Sequence, residues 1–352
     1  NLGAILTFIM YPYLVYPSPQ TTLLMSVMVG ITMFTAIYSS TGALAANEQK
    51  IILAYSTVDQ ISLMILSSSV GALLASTTGN TLFLTSGIIV GLIQMIAHGT
   101  YKASLFMNAG SVIHYTESRY VGVFKSLYKK IPTVFVLQLI AALNLASIPP
   151  LIGFWAHNLI GSLVSDEGLI ALYAIVEFLG GVYIIRYIVK AFMWRGGEEI
   201  REEGHIHPLM VIAPAFTVLA SIVLGVAYPL VLAPYFVSLG LSNSLNGIDV
   251  ISLLGAVAGL IIAFGMYLNG ADLGRTSLVP LVNFLYYGWY VNPVMDIIGI
   301  SGFRFANEVY DKFEHGVIDI GLNVKLPQGI IRLGGDLVKG TDTGILRDYI
   351  LL

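Results

Sequence analysis

Residues 82–114 read LFLTSGIIVGLIQMIAHGTYKASLFMNAGSVIH, an almost wholly apolar run that contains no acidic residue. About 20 apolar residues are enough to cross the roughly 30 Å hydrocarbon core of a membrane. This stretch is longer, so it can cross a bilayer as a tilted helix. It predicts a helical membrane protein.

The composition of the whole chain agrees with that prediction. Of the 352 residues, 56% are hydrophobic and 11% are charged, whereas soluble domains carry about 25% charged residues. The net charge of −3 indicates no nucleic-acid partner. The chain contains no cysteine, which excludes disulfides, thiolate metal sites and covalent cysteine redox chemistry.

Several other stretches are long and apolar enough to be membrane spans. The candidates are 2–16, 20–45, 51–75, 82–114, 131–164, 168–194, 208–238 and 249–270. The fifth contains Pro149-Pro150, which remove two backbone donors and are expected to break the helix. The predicted fold class is therefore an all-α polytopic membrane protein, with about eight transmembrane helices, one of them broken by proline, and a C-terminal amphipathic lateral helix.

The segment after residue 290 has a different pattern, with apolar residues every three or four positions and charges between them. This pattern predicts an amphipathic helix in the interface plane, interrupted at Pro327. Its apolar residues are Phe303, Ala306, Val309, Tyr310, Phe313, Val317, Ile320 and Val324. The predicted regions are two transmembrane helices in 1–50, core helices including the broken one in 51–164, peripheral transmembrane helices in 165–290, the lateral helix in 291–344 and the start of a further helix in 345–352. Since Asn1 already lies inside an apolar run, we expect the chain to be part of a longer or processed protein.

Apart from Lys102, Arg186 and Lys190, the Lys and Arg residues lie in alternate loops and in the tail after residue 270. The loops that contain them are near 46–50, 115–130 and 195–207, and the loops without them are near 17–19, 165–167 and 239–248. With eight spans the tail lies on the basic side, which the positive-inside rule assigns to the cytoplasm or matrix.

Ionisable residues inside a span are costly and suggest a functional site. Gln94, His98 and Lys102 are four residues apart, so they share one helix face. Such a buried pair of His and Lys could exchange a proton along a chain of water. The alternative is a structural pair that hydrogen-bonds neighbouring helices.

Two more residues in this region are candidates. Asp59 lies inside the third span and could pair with Lys102 or Lys50, or it could belong to an ordinary interhelical hydrogen-bonding face. Lys50 lies at the basic end of the same span, where snorkelling to the interface is the ordinary explanation.

His157 follows the Pro149-Pro150 break, and coupling-ion sites of transporters lie at such broken helices. Glu177 is a further acid inside a span, and the sequence assigns it no partner. No nucleotide-binding, Walker, catalytic-triad or haem motif occurs, so we expect no cofactor in this chain and no redox site of its own.

Three ordered motifs carry a family resemblance: KIILAYSTVDQ (50–60), AHGTYKASLFMNAGSVIH (97–114) and ALNLASIPPLIGFWAHN (142–158). They resemble the antiporter-like subunits of respiratory complex I, which share their outline with Mrp-type antiporters and membrane-bound hydrogenases. The lateral segment followed by TGILRDY (343–349) resembles the distal subunit of that arm. The resemblance implies that 51–164 forms a half-channel and that the chain corresponds to the C-terminal half of such a subunit.

The resemblance also implies a proton relay. Lys50, His98 and Lys102 match family positions, His157 stands where the family has Lys or Glu, and Gln94 stands where a second His is common. The implied function is proton translocation in a complex I-like NADH (or other donor):quinone oxidoreductase. The alternatives are a subunit of an Mrp-type Na⁺/H⁺ antiporter and a structural strap with a decayed channel.

The implied partners are other membrane-arm subunits, with a separate chain supplying the N-terminal repeat as one alternative, and the lipid bilayer. The implied location is an energy-coupling membrane, either a prokaryotic cell membrane or the mitochondrial inner membrane. The lateral segment is expected on its cytoplasmic or matrix side.

Overall fold

The structure is a computed structural model that describes residues 2–199, 204–234, 250–271, 279–341 and 344–346. The chain divides into two compact units, Asn1–Trp289 and Tyr290–Leu352. The described helices of the first unit are α1 Leu2–Leu14, α2 Pro19–Ala45, α3 Gln49–Thr78, α4 Leu82–Thr116, α5 Pro132–Leu145, α6 Ile152–Leu163, α7 Glu167–Ile188, α8 Leu209–Ala227, α9 Val250–Leu268 and α10 Val279–Tyr286. Wider turns extend α7 through Val189–Met193 and α8 through Tyr228–Leu232.

The predicted fold class is confirmed, because the protein is an all-α polytopic membrane protein. Five helices among the described residues are long and apolar enough to cross a membrane: α2, α3, α4, α7 with its extension, and α8 with its extension. Shorter apolar helices are Leu2–Leu14, Pro132–Leu145 and Leu253–Leu268. The predicted loop 239–248 lies outside the described residues.

The fifth predicted span is two short helices, α5 and α6, separated by residues 146–151. The Asn144 side chain bridges the break, since its Oδ1 accepts the Gly153 backbone N–H at 2.7 Å. Position 153 needs glycine because a Cβ there would collide with the Asn144 carbonyl. The break is thus a defined turn, tied to both helices.

The loops before α3, after α4 and after α7 hydrogen-bond to one another. Glu48 bridges to Tyr120, and the Lys125 ammonium lies 2.8 Å from the exposed Glu199 carboxylate. The hydrogen bond from Lys125 lowers the pKa of the Glu199 carboxyl. These three loops, which hold the Lys and Arg residues of the basic side, therefore lie together.

Glycines allow α7 and α9 to approach closely. Gly181 lies against the Ala256 carbonyl, and Gly259 lies against the Phe178 carbonyl. In a membrane the hydrophobic effect does not drive helices together, so their association depends on close van der Waals packing. Small residues allow the helix backbones to approach closely enough for such packing. The backbones of α7 and α9 are therefore in direct contact along this side of α7.

The second unit contains α11 Val291–Val309 and α12 Leu326–Thr341. Between them, Tyr310–Lys325 is helical with wider turns, and the Leu326 N–H bonds to the Gly321 carbonyl, five residues back. The expected interruption at Pro327 is wrong: the helix continues through it, because Pro327 occupies the first turn of α12. The wider turns rotate the apolar stripe about the helix axis. Residues 347–352, most of the predicted further helix, lie outside the described residues.

Candidate functional site

A line of polar side chains runs through the interior of the first unit. Helix α7 contributes Tyr173, Glu177, Tyr183 and Tyr187, whose spacing places them on one face, and each is at most 5% exposed. The polar side chains that face this side of α7 come from α3, α4 and α6. Burial of polar groups costs free energy unless they are hydrogen-bonded, so this axis is the first candidate for a functional site.

His157 lies on the second turn of α6 and is 4% exposed. Its Nδ1 lies 2.6 Å from Glu177 Oε1. Its Nε2 lies 2.9 Å from Gln60 Oε1 and 3.2 Å from Gln94 Nε2. An amide oxygen only accepts and an amide nitrogen only donates. Nε2 therefore has a hydrogen-bond partner whether or not it carries a proton.

Gln60 connects the helices around His157. Its Oε1 accepts from the Tyr101 hydroxyl at 2.7 Å and from Gln94 Nε2 at 2.6 Å. Its Nε2 donates to Asp59 Oδ2 at 3.1 Å. Because a carboxylate only accepts, Asp59 determines which end of the Gln60 amide faces His157.

Asp59 is 1% exposed, and its Oδ2 also accepts from the Tyr183 hydroxyl at 3.0 Å. The expected ion pair with Lys102 or Lys50 is absent among the described residues. A tyrosine and a glutamine occupy the space beside Oδ2 instead, while Oδ1 has no hydrogen-bond partner there.

Lys102 is 5% exposed, and its Nζ donates to the Leu53 carbonyl at 3.1 Å and to Ser56 Oγ. One turn away, His98 is also 5% exposed, and its ring meets the Tyr101 ring edge-on with centroids 5.7 Å apart. Neither nitrogen of His98 has a hydrogen-bond partner in the described part of the chain. Along α4, His98 thus lies between Lys102 with its partners on α3 and Gln94, which contacts His157.

Lys50 lies outside this axis. It is exposed on the first turn of α3, whereas its neighbour Gln49 is buried and accepts from the Tyr187 hydroxyl at 3.3 Å. Successive helical residues point about 100° apart, so Gln49 and Lys50 cannot both face inward. Of these two neighbours, Gln49 faces the interior, and Lys50, which the resemblance implies as a relay residue, does not.

The helix break contributes a further contact. Ser147 has a left-handed backbone with φ of 60°, and its hydroxyl donates to Glu177 Oε2 at 3.0 Å. Asp59, His157, Glu177 and Ala146 surround a narrow gap that is too tight for a water molecule in this conformation. The acid end of the axis therefore points towards the break.

The sequence indicated Glu177 only as an acid inside a span without an assigned partner, and it did not indicate Gln60 or Tyr183 as site residues. A signal for two of them was present, because Tyr and Glu recur along one face of an otherwise apolar α7. Their partners depend on how α7 packs on α3 and α6, which the helix pattern alone does not specify.

The fold and the buried polar axis together define a class of protein: a multi-pass membrane protein with ionisable side chains buried in its interior. The family described as "NADH:quinone oxidoreductase/Mrp antiporter, TM" matches residues 1–182, which include the whole of α1–α6 and most of α7. The chain belongs to this family, and it is an antiporter-like membrane subunit of the complex I superfamily.

The chain is similar to an Na(+)/H(+) antiporter subunit of Bacillus subtilis, with 26% identity over 217 residues, and to one of Staphylococcus saprophyticus, with 30% identity over 219 residues. Each alignment covers 58% of this chain but 27% of the relative. The chain thus spans about a quarter of the length of these relatives. Among solved structures, the Mrp complex from Dietzia sp. DQ12-45-1b matches with a TM-score of 0.49 and 21% identity, covering 70% of this chain and 49% of that chain.

Proposed function

We propose that this chain moves protons across the membrane along the buried axis of Lys102, His98 and His157. The observation that carries the proposal is the environment of His157 Nε2, which faces both an acceptor and a donor. Loss of a hydrogen bond to a buried polar group is costly. A histidine that is hydrogen-bonded in both protonation states can therefore gain and lose a proton at low cost.

The geometry of α4 indicates how a proton would travel between the two clusters. Lys102, His98 and Gln94 are separated by about 6 Å of helix rise per step, which is longer than a hydrogen bond. Water must bridge these steps, and the ring nitrogens of His98, which have no hydrogen-bond partner among the described residues, are suitable neighbours for it. Asp59 would supply the negative charge that stabilises a proton in this region.

The narrow gap beside His157 suggests how transfer could be controlled. It excludes water in this conformation, so a wider conformation is needed before a proton can pass beyond His157. We propose that the energy for this widening comes from partner subunits in the membrane, and that this chain carries no cofactor of its own.

We propose that this chain is one membrane-arm subunit of a larger complex. That complex is a complex I-like, redox-driven proton pump in an energy-coupling membrane. A separate chain would supply the N-terminal repeat that the resemblance implies. The charge asymmetry of the loops favours a cytoplasmic or matrix location for residues 291–344.

The second candidate is a subunit of an Mrp-type Na⁺/H⁺ antiporter. The names of the two relatives, both Na(+)/H(+) antiporter subunits, favour it. In that case the same axis would carry protons in exchange for a cation and without a redox reaction.

The test uses the intact complex, purified through a tag on this chain and sealed into vesicles that contain a pH-sensitive dye. Proton movement driven by NADH and quinone supports the redox pump. Proton movement driven by a Na⁺ gradient without redox substrates supports the antiporter. If neither driving force moves protons, both proposals fail, and the chain is a structural strap.

A further inference from the structure

Glu177 is the acid at the end of the buried axis, and neither the family resemblance nor the sequence assigns it a role. It lies in the middle of α7 and is 5% exposed. Its Oε1 lies 2.6 Å from His157 Nδ1, and its Oε2 accepts from the Ser147 hydroxyl at the helix break. We propose that Glu177 is the proton carrier that follows His157, so that the two side chains act as one proton-sharing pair. This inference rests on the proposed proton transport.

The hydrogen bonds around the His157 ring locate the exchangeable proton. When Nε2 donates to Gln60 Oε1, the second proton of a charged ring lies on Nδ1, directly facing Glu177 Oε1. A carboxylate accepts that hydrogen bond, and a carboxylic acid can donate it in reverse. One proton can therefore lie on either side of the 2.6 Å contact without loss of the hydrogen bond.

The transfer step balances in atoms and charge. The Nδ1–H bond of the His157 imidazolium breaks, its electron pair stays on the nitrogen, and an O–H bond forms on Glu177 Oε1. A cation and an anion become two neutral groups, so the net charge of the pair does not change. In the wider conformation the O–H bond then breaks and the proton passes to a water molecule at the break, where the Ser147 hydroxyl stabilises the carboxylate.

A purely orienting role is the alternative for Glu177. An amide would orient the ring equally well, because its oxygen can accept from Nδ1–H. Burying a carboxylate inside the membrane costs more free energy than burying an amide. The carboxylate differs from the amide in that it can take up a proton.

Glu177→Gln separates the two roles, because it keeps the size and the acceptor oxygen but cannot take a proton. In the intact complex in sealed vesicles, the variant is expected to assemble and to lose proton transport by at least about a hundredfold. Glu177→Asp is expected to restore part of the rate. The matched control is Glu167→Gln, an exposed position on the first turn of the same helix, which should transport like the unmodified complex. Transport by Glu177→Gln at the rate of the control would overturn the carrier assignment.

An infrared measurement keeps the inference testable if Glu177→Gln does not assemble. Proton loading of the unmodified complex should produce a carboxylic acid band that is shifted or lost in Glu177→Asp. If that variant leaves every carboxyl band unchanged, Glu177 does not take up a proton.

Transport by Lys102→Ala in the same vesicles distinguishes failure of the Glu177 carrier role from failure of the proposed proton transport. If Lys102→Ala stops transport while Glu177→Gln does not, only the carrier role fails; if both variants transport normally, the proposed function fails as well.

Discussion

At the residue scale, His157 and Glu177 depend on each other. Both side chains are about 95% buried, and each is the closest ionisable group to the other among the described residues. Removal of one partner of a buried pair leaves an uncompensated charge, which is more damaging than replacement of both. The pair therefore has a structural effect in addition to its proposed role in transport.

His157→Leu should reduce assembly, because it leaves the buried Glu177 carboxylate with the Ser147 hydroxyl but without its ionisable partner, at a cost of about 3–5 kcal/mol. The double variant His157→Leu/Glu177→Gln should recover assembly but not proton transport. The measurement is the yield and thermal unfolding of the purified complex. Equal stability of the single and the double variants would show that the pair carries no charge.

Single residues also show what the sequence can predict. The inward direction of His98 and Lys102 follows from their shared helix face with Gln94 in an apolar span. The partner of Glu177 could not be predicted, because it depends on the packing of α6 against α7. The exposure of Lys50 could not be predicted, because a motif match specifies a position but not the direction in which its side chain points.

At the element scale, the broken helix positions the site. The break was predictable from Pro149-Pro150, but the hydrogen bond from Gly153 to Asn144 Oδ1 was not, since Asn144 has several other plausible partners in a span. This bond ties the end of α5 to the start of α6 and so determines where His157 points. Ser147 within the break then reaches Glu177 on α7.

Gly153→Ala should destabilise the complex by about 2 kcal/mol or more, because the added Cβ overlaps the Asn144 carbonyl. Gly99→Ala is the matched control, since a Cβ at that helical position meets no atom within 4 Å and alanine is the better helix former. Thermal unfolding of both variants checks the prediction. Equal or higher stability of Gly153→Ala would show that the break does not depend on this close contact.

At the scale of the whole molecule, the described part of the first unit buries its polar axis within an apolar core and also exposes apolar residues on its outer faces. Large apolar residues on the outer faces of α2 and α8, among them Leu23 and Phe216, are strongly exposed, as expected for surfaces that face lipid. The apolar stripe of the second unit is exposed as well, including Leu333 at 66%. Such a stripe needs lipid or a partner protein to cover it.

The absence of native cysteine allows a clean labelling test of the second unit. Lys339→Cys should react quickly with a membrane-impermeant maleimide, whereas Leu333→Cys, on the apolar stripe, should react slowly because lipid or a partner covers that face. Lys125→Cys in the basic loops should be labelled from the same side as Lys339→Cys. Labelling of the two from opposite sides, or equal rates for the Leu333 and Lys339 variants, would contradict an interfacial helix on the basic side.

The central claim is that protons cross along the buried axis, and a pair of lysines tests it most directly. Lys102 lies in the axis and Lys50 lies outside it, so the two substitutions remove the same charge from different environments. The measurement is the initial rate of proton transport by the intact complex in sealed vesicles, under the driving force that moves protons in the unmodified complex. We predict that Lys102→Ala reduces this rate by about a hundredfold, with assembly intact, and that Lys50→Ala leaves it close to the unmodified rate. Normal transport by Lys102→Ala, or a loss confined to Lys50→Ala, would contradict this account.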